Sequence, residues 1–195
     1  MKWLLFMKGW FRREILRRRS DRWNHQYATG RWEGLKAPLE QARFDTCIAL
    51  LRRHAAGGDL LEIGCGEGLL LQRLSPDDYG EFVGVDISAI AIDRAKRLAT
   101  NRATFLVADM QRLEIDQKFD AVVFTESIYY VSRRDELLRR YARVLREPGV
   151  FVISVFRNSS SQGVWDQIHV AAAPIERATT TNAAGTWDCE VLRLR

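Results

Sequence analysis

The chain has 195 residues, 47% of them hydrophobic and 28% charged, with a formal net charge of +5. That size and balance suit one soluble domain with room for a full core and leave little space for a second. Residues 1–22 hold eight basic residues against two acidic ones, so the remainder, with 22 basic and 23 acidic, is nearly neutral; a nucleic-acid enzyme, which spreads positive charge over its substrate face, is disfavoured.

Taken in chain order, the opening MKWLLFMKGWFRREILRRRSDRW has an apolar core, Trp3 to Met7, far short of the roughly 20 residues that span a bilayer. No small-residue cleavage site of a signal peptide follows it. Aromatic and leucine side chains beside an arginine run fit a helix lying on an anionic membrane surface. They equally fit a helix packed on the domain or a partner with its arginines solvated. Residues 1–36 read as a basic, aromatic arm and residues 37–195 as the main domain. Helical spacing of Leu39, Ala42, Phe44, Ile48 and Leu51 predicts a helix over 38–54. A strand at 59–63, a glycine-rich loop and a helix through LLLQRL come next. EFVGVDIS reads as a buried strand, SAIAIDRAKRLAT as a helix capped by Ser88, and TFLVADM as a third strand. FDAVVFTE is a fourth strand, followed by a helix from Arg133 to Leu145, then a turn and a fifth strand in EPGVFVISVF. GVWDQIHVAAA suits a short helix, and ERATTT with TWDCEVLRLR a terminal hairpin.

This alternation predicts an α/β fold, a doubly wound and mostly parallel sheet with helices on both faces. Ligands of such sheets lie at the carboxyl ends of the strands. The first strand ends in Glu62, Gly64, Gly66 and Gly68. The dinucleotide fingerprint needs its third glycine at position 69, where Leu69 stands, and the lysine of a triphosphate loop is missing. Alone, this loop also suits a tight strand-to-helix turn. Asp86 ends the second strand, where a carboxylate accepts from both hydroxyls of a ribose or caps the next helix. Asp109 and Met110 end the third: an acceptor for an adenine amino group beside an apolar cover. After the fourth come Glu126, Tyr129 and Tyr130. Three cysteines and three histidines lie scattered, so neither a disulfide framework nor a metal site follows, and a reducing cytoplasm is the expected setting.

The set LEIGCGEG, VGVDIS, VADM and FDAVVFTESIYYV resembles the class I S-adenosylmethionine-dependent methyltransferases, across roughly residues 55–156. The resemblance implies a seven-stranded sheet ending in a hairpin, with S-adenosyl-L-methionine as cofactor and S-adenosyl-L-homocysteine as product. It assigns the methionine moiety to Gly64, Gly66 and Gly68, the ribose to Asp86, and the adenine to Asp109 and Met110, and counts Glu62, Cys65 and Ile87 among the cofactor-binding residues. Glu126 also lies beside the cofactor. Tyr27 and Trp32, within NHQYATGRWEG, are candidates to cover the methionine end, or simply pack the arm on the domain. A closer resemblance is to the nodulation protein S type of N-methyltransferase, through Glu126-Ser127-Ile128-Tyr129-Tyr130 and Asp166-Gln167-Ile168-His169. It implies a small-molecule acceptor, an amino sugar or the amine or hydroxyl of a glycolipid. The candidate catalytic residues are then His169 as base, Glu126 and Tyr129. A surface position for His169 and core packing for the tyrosine are the plainer readings. An RNA or protein methyltransferase, or a non-catalytic cofactor-binding subunit of another enzyme, are the alternatives.

Overall fold

Apolar runs bounded by glycine, proline and aspartate fold into seven strands, and the computed structural model describes them within residues 19–195. They are β1 (Leu60–Ile63), β2 (Phe82–Asp86), β3 (Ala103–Val107), β4 (Phe119–Thr125), β5 (Leu145–Phe156), β6 (Ala172–Asn182) and β7 (Gly185–Leu194). One sheet results, in the order β3-β2-β1-β4-β5-β7-β6. The first five strands run parallel, and β7 is antiparallel to both β5 and β6, which makes β6 and β7 the expected hairpin.

Helices cover both faces because buried side chains alternate along each strand. Leu60, Val123 and Val152 join Phe44, Ile48 and Leu51 of α2 (Pro38–His54) and Ile92 of α3 (Ala89–Ala95). Leu61, Phe124 and Ile153 point the other way, into Leu138 of α4 (Arg134–Tyr141) and Trp165 and Ile168 of α5 (Ser161–Ala171). An additional helix, α1, occupies residues 19–28.

Three expectations change. LLLQRL is not an α-helix but a set of turns ending in a 3-10 turn at Leu71–Arg73. Pro76 follows too soon for a longer helix, and Leu74 is already extended. The helix after β4 ends at Tyr141, tightens into a 3-10 turn at Ala142–Val144, and yields Leu145 to β5, where it pairs with Phe119. In α2, Phe44, Ile48 and Leu51 are buried as expected, but Leu39 is 51% exposed and Ala42 is exposed, while Arg43, Cys47 and Leu50 join the buried stripe. The membrane-surface expectation rests on residues 1–22, of which 1–18 lie outside the described residues. No helix among the described residues is long and apolar enough to cross a membrane.

The strand order has one consequence for ligands. From β1 the chain winds outward through β2 and β3, then returns to the other side of β1 as β4. A crevice opens outside the carboxyl ends of β1 and β4, where the winding reverses.

Candidate functional site

A cavity of about 300 Å³ occupies that crevice, within the range of small-molecule sites. Its floor is the glycine loop. Gly64 and Cys65 donate backbone N–H bonds to Val85 O, and Gly66 donates to Asp86 Oδ2 at 3.0 Å, so the loop hangs from the end of β2. Asp86 Oδ1 accepts from Ser88 N at 2.8 Å. Gly64 and Gly66 adopt φ of 76° and 54°, a region that L side chains rarely enter. Both line the cavity, as do Glu62 and Cys65. Gly68 does not belong with them: its φ is also positive, but a Cβ there would meet Leu98 and Phe105 of the core. Packing against these two side chains gives this glycine a structural reason of its own.

Asp86, Ile87, Asp109 and Met110 line the end of the cavity at β2 and β3. Asp109 Oδ1 accepts from Gln111 N at 2.9 Å, and Oδ2 faces Arg19 at 3.7 Å. Burial raises the Asp86 carboxyl above its ordinary range, against the hydrogen bonds it accepts.

At the other end stand the carboxylates of β1 and β4. Glu62 is buried, accepts from Thr125 Oγ1 at 2.5 Å, and keeps Oε2 without a partner. Desolvation pushes its pKa up to about 8. Glu126 takes φ 56°, alone among the described non-glycine residues in the left-handed region. Its carboxylate accepts from Ser154 Oγ, from Phe156 N at 2.8 Å and, at 3.4 Å, from Tyr129 Oη. Burial raises both Glu126 and Tyr129.

Residues before α2 also line the cavity. Tyr27, Trp32 and Trp23 line it, and the Tyr27 hydroxyl sits 2.7 Å from where a Cβ on Gly66 would be. Trp23 stacks on Trp32 and meets Tyr130 edge-on at 4.7 Å. Asn24 Oδ1 accepts from Ser88 Oγ at 2.9 Å, and Lys36 pairs with Glu67 of the glycine loop at 2.6 Å.

His169 lies apart from the other candidates. It does not line the cavity. Helical spacing puts it one turn from Trp165, on which it stacks, and its Nε2 lies 2.7 Å from Glu190 of β7. It serves the side of the sheet that α5 covers. Conversely, Arg43 and Trp187 line the cavity and escaped the sequence reading. The signal for Arg43 was available: an arginine four residues before Cys47 and seven before Leu50, on the stripe that becomes buried.

Residues 61–153 match the family model of the methyltransferase domain. Nodulation protein S of Azorhizobium caulinodans is 28% identical over 151 residues, covering 75% of this chain and 72% of that protein. The 27-O-demethylrifamycin SV methyltransferase of Amycolatopsis mediterranei is 32% identical over 142 residues, 69% of this chain and about half (52%) of that enzyme. Among solved structures, the N-methyltransferase NodS of Bradyrhizobium japonicum WM9 in complex with S-adenosyl-L-homocysteine superposes with a TM-score of 0.73 at 20% identity, covering 84% of this chain and 91% of that one. A methyltransferase domain that begins on β1 and ends in β5 spans the strands whose carboxyl ends build this cavity, and the chain belongs to the class I S-adenosylmethionine-dependent methyltransferases, with a resemblance to the nodulation protein S type.

Proposed function

We propose that the protein methylates a nitrogen or oxygen of a small molecule, with an amino sugar or the amine or hydroxyl of a glycolipid as the favoured acceptor. The observation that carries this reading is the position of Glu126. Held in a left-handed backbone by Ser154 and Phe156, its carboxylate borders the cavity beside Tyr129. That is where an acceptor would approach a cofactor seated on the glycine loop. The likeness to nodulation protein S, whose solved relative is an N-methyltransferase, adds support.

The residues present fit the cofactor. Glu62 Oε2 is a buried acceptor lacking a donor, as a methionine ammonium would supply. Asp86 would take ribose hydroxyls, Asp109 the adenine amino group, and Ile87 and Met110 the faces of the ring. Gly64, Cys65 and Gly66 would flank the methionine chain, with Tyr27 and Trp32 closing over it. The bound cofactor supplies a sulfonium methyl group, already an activated electrophile. The protein's share is to align the acceptor lone pair with that methyl and to exclude water. An ammonium acceptor must first lose a proton; Glu126, raised by burial, would hold the amine and take the proton, while Tyr129 lines its path. His169 has no part in this scheme. The arm at residues 1–22 would bring the site to a membrane-borne substrate in the cytoplasm.

A methyl-transfer screen with radiolabelled cofactor over amino sugars, lipid-linked amines and hydroxyls, and RNA tests the acceptor class. Label on RNA alone, or on none of them despite cofactor binding, would end the amino-sugar reading.

A further inference from the structure

Cys47 and Cys189 meet in the core although 142 residues separate them in the chain. Cys47 lies on α2 and Cys189 on β7, at 1% and 2% exposure, and their sulfurs stand 3.2 Å apart as free thiols. The fold makes this pair: α2 packs on the face of the sheet to which Cys189 points, among Val152 and Val191. A disulfide holds its sulfurs about 2.0 Å apart, so closing the pair asks for a shift of only about 1 Å.

The pair backs onto the cavity wall. Cys47 comes one helical turn after Phe44, and Cys189 follows Trp187 by two residues on the same side of β7; Phe44 and Trp187 both line the cavity. In register, Cys189 faces Ser154 of β5, whose hydroxyl donates to Glu126. A crosslink here joins the helix of one wall to the strand beside the seat of Glu126. The hydrogen bond with Cys47 and burial raise the Cys189 thiol above its ordinary range, so little of it is thiolate at neutral pH. Burial also keeps out a bulky oxidant such as glutathione disulfide. Hydrogen peroxide, small and uncharged, is the oxidant that fits.

We propose that Cys47 and Cys189 form a peroxide-sensitive clamp between α2 and β7, which closes behind the cavity wall and slows methyl transfer. One sulfur, as thiolate, attacks the peroxide O–O bond and becomes a sulfenic acid; the hydroxide released takes up the thiol's proton. The second thiol then attacks that sulfur and expels its oxygen as water, leaving the disulfide. Two thiols and one peroxide give one disulfide and two waters, the sulfurs oxidised and the peroxide oxygens reduced. In a reducing compartment such a bond is transient and serves sensing, because thiol reductants reopen it. The effect on turnover rests on the proposed function; the crosslink does not.

The test treats wild type, Cys47→Ala and Cys189→Ser with hydrogen peroxide, then counts thiols in denaturant and maps the peptides. Wild type is expected to fall from three free thiols to one, with Cys47 joined to Cys189 and Cys65 still free. Its melt should rise by about 5 °C or more and amide exchange in α2 should slow, both reversing with dithiothreitol. Neither variant should show these changes. Turnover on an acceptor labelled in the methyl-transfer screen should fall about tenfold or more on oxidation and return on reduction. Wild type that keeps its three thiols, ends in sulfinic acids or crosslinks through Cys65 overturns the proposal. So does a Cys47–Cys189 disulfide that leaves melt, exchange or turnover as in the reduced protein. Should a variant fail to fold, the wild-type map and its reversal decide on the same criteria. Should no acceptor take label, the proposed function falls, and map, melt and exchange still decide for the clamp.

Discussion

Thr125 Oγ1 donates to Glu62 Oε1 at 2.5 Å across the crevice between β4 and β1, and leaves Glu62 Oε2 buried without a donor. One oxygen fixes the side chain; the other is buried with no donor. Half-satisfied buried carboxylates destabilise the free protein, so this arrangement has a thermodynamic signature.

That signature is a pH dependence. With a folded pKa of about 8 against an ordinary 4.5, Glu62 holds its proton in the folded state over a range where the unfolded chain has released it. The folded state therefore binds more protons between about pH 4.5 and 8, and stability declines as pH rises through that window. Glu62→Gln removes the charge without changing the shape. The variant is expected to match wild type near pH 4 and to exceed it above pH 8 by on the order of a few kcal/mol, by denaturant titration at each pH. An equal pH dependence in both proteins would contradict the burial argument.

In the proposed function the same group would link cofactor binding to protons. A cationic ammonium needs the ionised carboxylate, so below about pH 8 binding must expel a proton. Affinity for S-adenosylhomocysteine is expected to rise up to about tenfold per pH unit below that point and to level off above it. Glu62→Gln should bind more weakly and lose the slope. Calorimetry in buffers of different ionisation enthalpy reads the proton directly; no proton release near pH 7 would detach Glu62 from the ammonium.

Asp86 holds the glycine loop, the proposed function adds the ribose to its duties, and its variant would then show both. It accepts from Gly66 N and Ser88 N, and so holds the glycine loop against α3. Asp86→Asn turns one acceptor into a donor that faces an N–H. We expect about a hundredfold loss of S-adenosylhomocysteine affinity, in line with the loss of a charge-assisted pair, and a lower melting temperature. Wild-type affinity in Asp86→Asn would remove it from the binding machinery.

The order of strands, the terminal hairpin and the acidic strand ends were legible because each follows from local patterning: apolar runs, turn residues, and position relative to a strand end. Gly68 and His169 show where local patterning stops. Gly68 looks like its neighbours at 64 and 66, yet what demands glycine there is the contact with Leu98 and Phe105, from elements some 30 and 37 residues away. His169 was chosen by residue type, and its partner Glu190 comes from a strand that sequence proximity does not bring near. Arg43 was passed over because an arginine on an apolar stripe looks like a break in the pattern, when it is instead the buried member of it.

His169 gives the sharpest contrast between position and residue type. Outside the cavity, it pairs with Glu190, whose side chain is 1% exposed, and stacks on Trp165. Removing the imidazole takes one partner from a buried carboxylate and leaves Arg177 Nη1, at 3.4 Å, as its other partner. His169→Ala is expected to lose about 1–3 kcal/mol of stability, the usual cost of stranding a buried acceptor, while methyl transfer at a temperature well below its melt stays within about twofold of wild type. Glu126→Gln should behave in the opposite way: it keeps a hydrogen-bond acceptor for Phe156 N, binds S-adenosylhomocysteine as wild type does, and loses about 10²–10⁴ in turnover if it takes the acceptor's proton. Single-turnover assays on both variants decide the matter. A turnover loss in His169→Ala as large as that in Glu126→Gln, with both proteins folded, would restore the histidine to the reaction.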